Sequence, residues 1–139
     1  MKYFTINEMI RSATAKRHGI ENIPDEQSRV NLKLLVENIL DPLREAWGAP
    51  IIVDSGYRCP ALNRIVKGSD TSQHLLGQAA DIHTLKDTVA ENKMLFSLIR
   101  ELKLPYDQLI DEYNYNWIHV SYSPRHRRRI LHLPCRTTT

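Results

Sequence analysis

The chain has 139 residues, which is enough for one domain with a hydrophobic core and too few for two domains of ordinary size. Hydrophobic residues make up 42% and charged residues 25% of the sequence, as in soluble globular proteins. The net charge of +3 is smaller than that of a dedicated nucleic-acid binder, and no run of about 18 apolar residues predicts a membrane span. The N-terminal residues "MKYFTINEMIRSA" lack the apolar segment of a secretory signal, so we expect synthesis in the cytoplasm.

Helix signals dominate the first third of the sequence. Thr5 and Glu8 form a capping box, which predicts a first helix that runs to about Arg17. A second helix is predicted from Asp25 onward, because leucine, valine, isoleucine and tryptophan recur there at helical spacing. Pro42 interrupts that apolar stripe and predicts a kink or a restart of the helix.

Strand and helix signals alternate in the middle of the sequence. We predict a short strand at 51–54, a short helix at 60–66 and a second strand at 78–83. A capping box that begins at Thr88 predicts the start of another helix.

The last third of the chain predicts a β-hairpin. The segments "YDQLIDEY" and "NWIHVSY" have the composition of two adjacent strands joined by an Asn-rich turn. A basic tail at 124–139 can add an edge strand. We find no repeat and no linker, so we predict a single α+β domain over 1–139 with its core at 4–123. The sheet should be small and mainly antiparallel, with the helices on one side.

The segment "SQHLLGQAADIH", Ser72 to His83, places His74 and Asp81 among small and apolar residues. His119 follows much later, on the last strong predicted strand. Two imidazoles and one carboxylate are a plausible zinc ligand set that leaves a fourth position for water, as in catalytic sites. An aspartate in a buried strand also favours a metal or a partner. On spacing alone, hydrogen-bonded polar residues of a core are the alternative.

The two cysteines do not add a metal site. Cys59 and Cys135 are far apart and form no CxxC pair, so a thiolate zinc site is not expected. A disulfide between them and two reduced thiols are both compatible with the sequence.

Three ordered motifs give the sequence a family resemblance. Ser72, His74, Gly77, Ala79 and Asp81 match the Ser-x-His-x-x-Gly-x-Ala-x-Asp signature, so that "SQHLLGQAADI" resembles the zinc D-Ala-D-Ala carboxypeptidases. Their superfamily also contains vancomycin-resistance D,D-dipeptidases, phage endolysin L-Ala-D-Glu peptidases and the hedgehog signalling domain. "SGYRCPALN" resembles the upstream segment of the family, and "WIHVSY" resembles the segment with the third ligand. The N-terminal helices are similar to those of its short, phage- and prophage-associated branch.

The resemblance implies a zinc metallopeptidase that hydrolyses peptidoglycan stem peptides, most closely of the D-Ala-D-Ala carboxypeptidase type. His74, Asp81 and His119 would bind one zinc ion per chain. The enzyme would act on the cell wall after release or delivery, as in phage lysis, and we expect a monomer.

Three further residues would contact the substrate. Arg58 would meet the carbonyl oxygen or terminal carboxylate of the peptide, which suits the fixed fork of a guanidinium. Ser72 would hydrogen-bond the peptide, although a cap or turn is the commoner role of such a serine. Trp117 precedes His119 by two residues and is expected in the cleft wall, where we assign it to substrate binding.

The general base departs from the family pattern. Superfamily relatives often have a Glu or Asp three residues before the last histidine, where this chain has Asn116. Asp111 and Glu112 lie on the preceding predicted strand, and an alternating strand can aim only one of them inward. We predict that this residue is Glu112 and that His83 contributes less.

Two other function classes stay open on the sequence. Asn116 is compatible with a non-catalytic zinc module that binds cell-wall material or a partner. The basic run "RHRRR" at 125–129 is most simply a solvated face or tail, although it would also favour anionic polymers. No aromatic residues interleave with it, so we expect no specific nucleic-acid binding.

Overall fold

The order of helices and strands follows the predicted α+β pattern. The computed structural model describes residues 1–133. The elements are α1 (Ile6–Ile10), α2 (Ala13–Arg17), α3 (Glu26–Leu35), a π-helical turn (Val36–Leu40), α4 (Asp41–Trp47), β1 (Ile51–Ser55), α5 (Pro60–Ile65), a 3-10 turn (Gln73–Leu76), β2 (Ala79–Thr84), α6 (Val89–Glu101), β3 (Gln108–Glu112), β4 (Trp117–Ser121) and β5 (Arg129–Leu133).

The predicted first helix is wrong in its length, because two short helices occupy its place. Thr5 caps α1 as expected, and its side chain accepts a hydrogen bond from the backbone N–H of Glu8. The backbone becomes extended at Arg11. Ser12 then caps α2 by accepting from the N–H of Ala15. A serine that offers its own cap competes with helix continuation, and this signal was overlooked in the sequence.

The second predicted helix is confirmed, including its restart at the proline. Asp25 caps α3 by accepting from the N–H of Ser28 at 2.8 Å. The helix passes through the π-helical turn and continues as α4, whose first turn contains Pro42. Proline cannot donate a backbone hydrogen bond, which explains why the regular α pattern breaks just before it. Gly48 ends α4 with a left-handed φ of 76°.

Five strands form one sheet in the order β1-β2-β4-β3-β5. β3 and β4 are the predicted hairpin, with Leu109 opposite Val120 and Glu112 opposite Trp117. All neighbouring strands are antiparallel except β3 and β5, which are parallel. The expected edge strand of the basic tail is thus β5.

Helices cover one face of this sheet and form the core with it. Ile82, Leu109 and Ile118 are fully buried on that face. The helical side of the core is equally apolar and includes Leu32, Leu35, Ile39, Leu40, Leu43, Leu95 and Ile99. The single α+β domain with a mainly antiparallel sheet is therefore confirmed.

Two further expectations concern the whole chain. In the part that the structure describes, no helix combines the length and the hydrophobicity that crossing a membrane requires. The question of a Cys59–Cys135 disulfide falls outside the described residues, because these end at residue 133.

Candidate metal centre and cleft

Strand pairing places two of the predicted ligands side by side. Asp81 in β2 lies directly opposite His119 in β4, and Ile110 in β3 is the next residue across the sheet. Their neighbours Ile82 and Ile118 point into the core. Because side chains alternate along a strand, Asp81 and His119 project from the other face of the sheet.

The third predicted ligand reaches the same point from the 3-10 turn. The Ser72 side chain caps this turn by accepting from the N–H of His74. Gly77 ends it with a φ of 72°. A Cβ at Gly77 would lie 2.5 Å from the carbonyl oxygen of Ser28, so the turn packs tightly against α3. The motif glycine is thus required both for its backbone conformation and for this close approach.

The three side chains converge on one point. His74 Nε2 lies 3.3 Å and His119 Nδ1 lies 3.0 Å from Asp81 Oδ1. One ligand atom from each of the three residues lies within 4.8 Å of the others. Such an arrangement of two nitrogens and one oxygen can hold a metal ion.

The protonation of His74 agrees with a metal site. His74 Nδ1 lies 2.6 Å from the carbonyl oxygen of Gly56, which can only accept a hydrogen bond. The Nδ1 atom therefore has the proton, and in the neutral ring the Nε2 lone pair faces the Asp81 carboxylate. Burial lowers the pKa of His74, which favours this neutral ring. Two facing acceptors repel each other unless a cation lies between them.

The ionisation of Asp81 fits the same arrangement. Burial by itself would raise the pKa of this carboxyl group, but positive charge on the imidazoles of His74 and His119 outweighs burial and holds the pKa below its ordinary value. When the imidazoles are neutral, a bound cation would supply that charge instead. The donor set is therefore a carboxylate with two imidazoles, which are the ligand forms that zinc binds.

Comparison with known proteins now identifies the family. A family model described as Peptidase M15 matches residues 2–121. The chain belongs to the Peptidase M15 family. A comparison with curated proteins finds no significant match. M15 peptidases are zinc-dependent metallopeptidases, and the His74–Asp81–His119 group fits such an ion in its donor atoms and in their spacing.

The M15 cleft brings together every residue that the sequence predicted for the site. It has a volume of about 970 Å³, which is ample for a peptide segment. Its walls also include Lys67, Arg125 and Arg127. The predicted residues that line it are Arg58, Ser72, His74, Asp81, Glu112, Trp117 and His119.

Glu112 lies beside the candidate metal ligands. Its Oε2 atom is 3.9 Å from His119 Nδ1 and accepts a hydrogen bond of 2.9 Å from Trp117 Nε1. Burial, aided by the nearby Asp81 carboxylate, raises the pKa of Glu112. Asp111 lies on the core face instead, where its carboxylate contacts His132. Strand alternation thus places Glu112 and not Asp111 in the cleft.

Arg58 and Ser72 form another wall of the M15 cleft. The Arg58 backbone N–H donates to the carbonyl oxygen of His74 at 3.0 Å, and its Nη2 atom donates to Ser72 Oγ at 3.3 Å. Its Nε atom is buried without a hydrogen-bond partner in the described part of the chain. Burial lowers the pKa of Arg58, yet a guanidinium stays charged at neutral pH. Arg58 is therefore a fixed cation with an unused donor beside the candidate metal ligands.

Two residues discussed for the base lie elsewhere. His83 Nε2 is 3.1 Å from Asp54 Oδ1, and its Nδ1 atom is 2.6 Å from the carbonyl oxygen of Thr84. His83 is not part of the cleft wall. Asn116 is exposed in the turn between β3 and β4.

A polar network beside the candidate metal ligands does not follow from the sequence pattern. Gln73 precedes His74, and its side chain donates to the buried carboxylate of Asp107 at 2.8 Å. Arg127 donates to the same carboxylate through both Nε and Nη2, each at 2.9 Å. No spacing rule links these three positions. The features of the sequence that could have indicated this network are an aspartate in the predicted strand segment "YDQLIDEY" and the arginine-rich run later in the chain.

Proposed function

We propose that the protein is a zinc D-Ala-D-Ala carboxypeptidase that hydrolyses peptidoglycan stem peptides. Membership in the M15 family supports a zinc peptidase that acts on peptidoglycan. The observation that carries the proposal is the carboxylate of Glu112, which lies 3.9 Å from the His119 ligand nitrogen in the same cleft. It gives the site an acid–base group although Asn116 occupies the usual position.

His74, Asp81 and His119 hold the zinc ion in this proposal. A bound zinc ion lowers the pKa of its water towards about 7 and polarises the scissile carbonyl group. Glu112 accepts the proton of the attacking water and delivers it to the leaving amine. Its raised pKa suits both tasks, because a carboxyl group with a pKa nearer neutrality can return the proton it has taken.

Arg58 and Ser72 bind the peptide next to the scissile bond. The guanidinium of Arg58 donates to the carbonyl oxygen as negative charge develops on it, or to the terminal carboxylate of the substrate. Ser72 already accepts from Arg58, so its hydroxyl proton remains available for a peptide acceptor. Trp117 fixes Glu112 by a hydrogen bond and offers its ring to the substrate.

The test is digestion of purified sacculi and of D-Ala-D-Ala peptides by the zinc-loaded protein, with the products identified by mass spectrometry. Release of single D-alanine residues is expected, and cleavage inside the stem would replace the carboxypeptidase assignment by an endopeptidase. One zinc ion per chain with no product from any substrate would support the alternative, a non-catalytic zinc module. Asn116 is the feature that favours this alternative.

A further inference from the structure

The arginine-rich run at 125–129 is divided by the fold into residues with different surroundings. It connects β4 to β5, and Arg125 and Arg127 line the cleft. Arg128 donates instead to the carbonyl oxygen of Lys103, and Arg129 begins β5. The run is thus not a uniform solvated tail, since two of its arginines lie in the wall of the peptidase site.

Asp107 fixes one of these arginines. Its carboxylate is fully buried and accepts from the backbone N–H, Nε and Nη2 of Arg127 and from Gln73 Nε2. Arg127 holds the pKa of this carboxyl well below its usual range. Two of these donors reach each oxygen, and the side chain of Ser123 also hydrogen-bonds the carboxylate, so its acceptor sites are used. The charge of Arg127 is neutralised, and the loop is anchored beside His74.

Arg125 keeps its charge and its donors. Its side chain is 61% exposed, and the carboxylate nearest to it within residues 1–133 is that of Asp107, at 3.8 Å from Nη2. This distance exceeds a hydrogen bond, and the acceptor sites of Asp107 are already occupied. Ser123 Oγ fixes the backbone by accepting from the Arg125 N–H at 3.3 Å. The backbone of Arg125 is thus anchored at the cleft, and its guanidinium has donors to spare.

The charges around the cleft favour an anionic ligand. Its wall contains four cationic side chains, those of Arg58, Lys67, Arg125 and Arg127, and two carboxylates, those of Asp81 and Glu112. The single negative charge of Asp107 is hydrogen-bonded to Arg127 and lies 3.8 Å from Arg125 Nη2, so it can offset only one of these two cations. A metal ion at the histidines would add further positive charge, so an acidic peptide should be attracted and a basic one repelled.

The two ends of the β3–β4 pair show where Arg125 lies along the cleft. Glu112 and Trp117 lie opposite each other at one end of the β3–β4 pair, and the N–H of Asp107 donates to the carbonyl oxygen of Ser121 at the other end. His119 is two residues from Ser121, about 7 Å along the strand. Arg125 Nη2 lies 3.8 Å from Asp107, at this second end, so the candidate metal ligands lie between Arg125 and Glu112.

We propose that Arg125 binds a side-chain carboxylate of an acidic peptide substrate. An extended peptide spans about 3.3 Å per residue, so the carboxylate would belong to a residue roughly two or three positions from the scissile bond. The location of the scissile bond at the metal rests on the proposed function. The binding of an acidic peptide at Arg125 does not require turnover.

The test uses pairs of peptides with the same sequence except at one residue, two or three positions from the scissile bond. One peptide of each pair has a glutamate there and the other a glutamine. Hydrolysis and binding by the zinc-loaded protein are measured for the wild type, Arg125→Gln and Arg128→Gln. Arg128 is a matched control because it is an exposed arginine of the same run outside the cleft wall. We expect the wild type and Arg128→Gln to prefer the acidic peptide by about tenfold, through KM and Kd rather than kcat. Arg125→Gln should lose this preference and bind the amide peptide as before.

The outcomes separate this proposal from the proposed function. Hydrolysis of both peptides without a preference, or a preference that survives in Arg125→Gln, would overturn the role of Arg125 and leave the peptidase intact. An Arg125-dependent preference in binding without hydrolysis would support the site and refute the D,D-carboxypeptidase. Absence of binding to either peptide would overturn the acidic-peptide site.

Discussion

The two faces of the central strands differ completely in chemistry although they share the same backbone. On one face Ile82, Leu109 and Ile118 are fully buried against the helices. On the other face Asp81 and His119 lie side by side and converge with His74. A step of one residue along a strand therefore separates core packing from the candidate metal site, and a register slip of one residue would exchange the two faces.

The adjacent acids of β3 show this difference most directly. Asp111 and Glu112 have the same charge and nearly the same shape, but Asp111 faces the core and contacts His132. Glu112 faces the cleft and lies 3.9 Å from His119 Nδ1. Their position on the pleat, and not their chemistry, distinguishes a structural carboxylate from a candidate acid–base group.

The largest expected effect is loss of the metal from the cleft face. Replacing His74, Asp81 or His119 with Ala should abolish stoichiometric zinc binding, because each removes one of three protein ligands. His83→Ala is the control, since His83 shares this face of the sheet but pairs with Asp54. Metal content per chain, measured after dialysis, decides the outcome. Full zinc affinity in any ligand variant would mean that the ligand set is misassigned.

The second effect compares the two acids of β3. Glu112→Gln should keep the fold and the zinc ion while lowering kcat by about 100-fold or more, the range expected for loss of an acid–base group. Asp111→Asn should mainly lower the free energy of unfolding, by about 1 kcal/mol, because it weakens a partly buried pair. Steady-state kinetics and urea denaturation measure the two quantities.

A reversed result would reassign the base. If Glu112→Gln stays fully active while Asp111→Asn or His83→Gln silences the enzyme, Glu112 is not the base, although the zinc site stands. His83→Gln should cost less than Glu112→Gln, since its ring nitrogens already contact Asp54 and Thr84.

The sequence predicted those parts of the molecule that depend on local patterns. The cap at Thr88 defined the start of α6, and the turn between two alternating segments defined the hairpin. The motif spacing predicted that His74, Asp81 and His119 form one group, and one ligand atom from each lies within 4.8 Å of the others. Alternation was sufficient to prefer Glu112 over Asp111, because a strand has only two faces.

What the sequence did not predict depends on contacts between distant segments. The first helix ends at Arg11, and Ser12 caps a second short helix, which the apparent continuity of the pattern conceals. Asp107, Gln73 and Arg127 meet only because the start of β3, the 3-10 turn and the loop after β4 adjoin in the fold. No periodicity relates such positions, so the sequence predicts only a solvated face or tail for the basic run.

A smaller effect is expected from the guanidinium on the cleft wall. Arg58→Lys should fold and retain zinc but lose most of its turnover, by about tenfold or more, since lysine keeps the charge and lacks the planar fork. The kcat/KM for a D-Ala-D-Ala peptide measures this loss, and the metal content serves as the control. Activity within about twofold of the wild type would make Arg58 an ordinary wall residue.

The smallest effect on activity is expected from a substitution on the core face of the sheet, next to a candidate zinc ligand. Ile118 is fully buried and precedes His119 in β4. Ile118→Val removes one methylene group from the core and should lower the free energy of unfolding by about 0.5–1.5 kcal/mol. Because valine keeps the branched shape that suits a strand, the backbone and the direction of His119 should not change. Zinc stoichiometry and kcat should therefore equal those of the wild type under conditions where both proteins are folded.

A fall in kcat of tenfold or more in the folded, zinc-loaded variant would contradict this expectation. It would show that the two faces of the sheet are coupled through β4, so that core packing on one face helps to orient the ligand on the other.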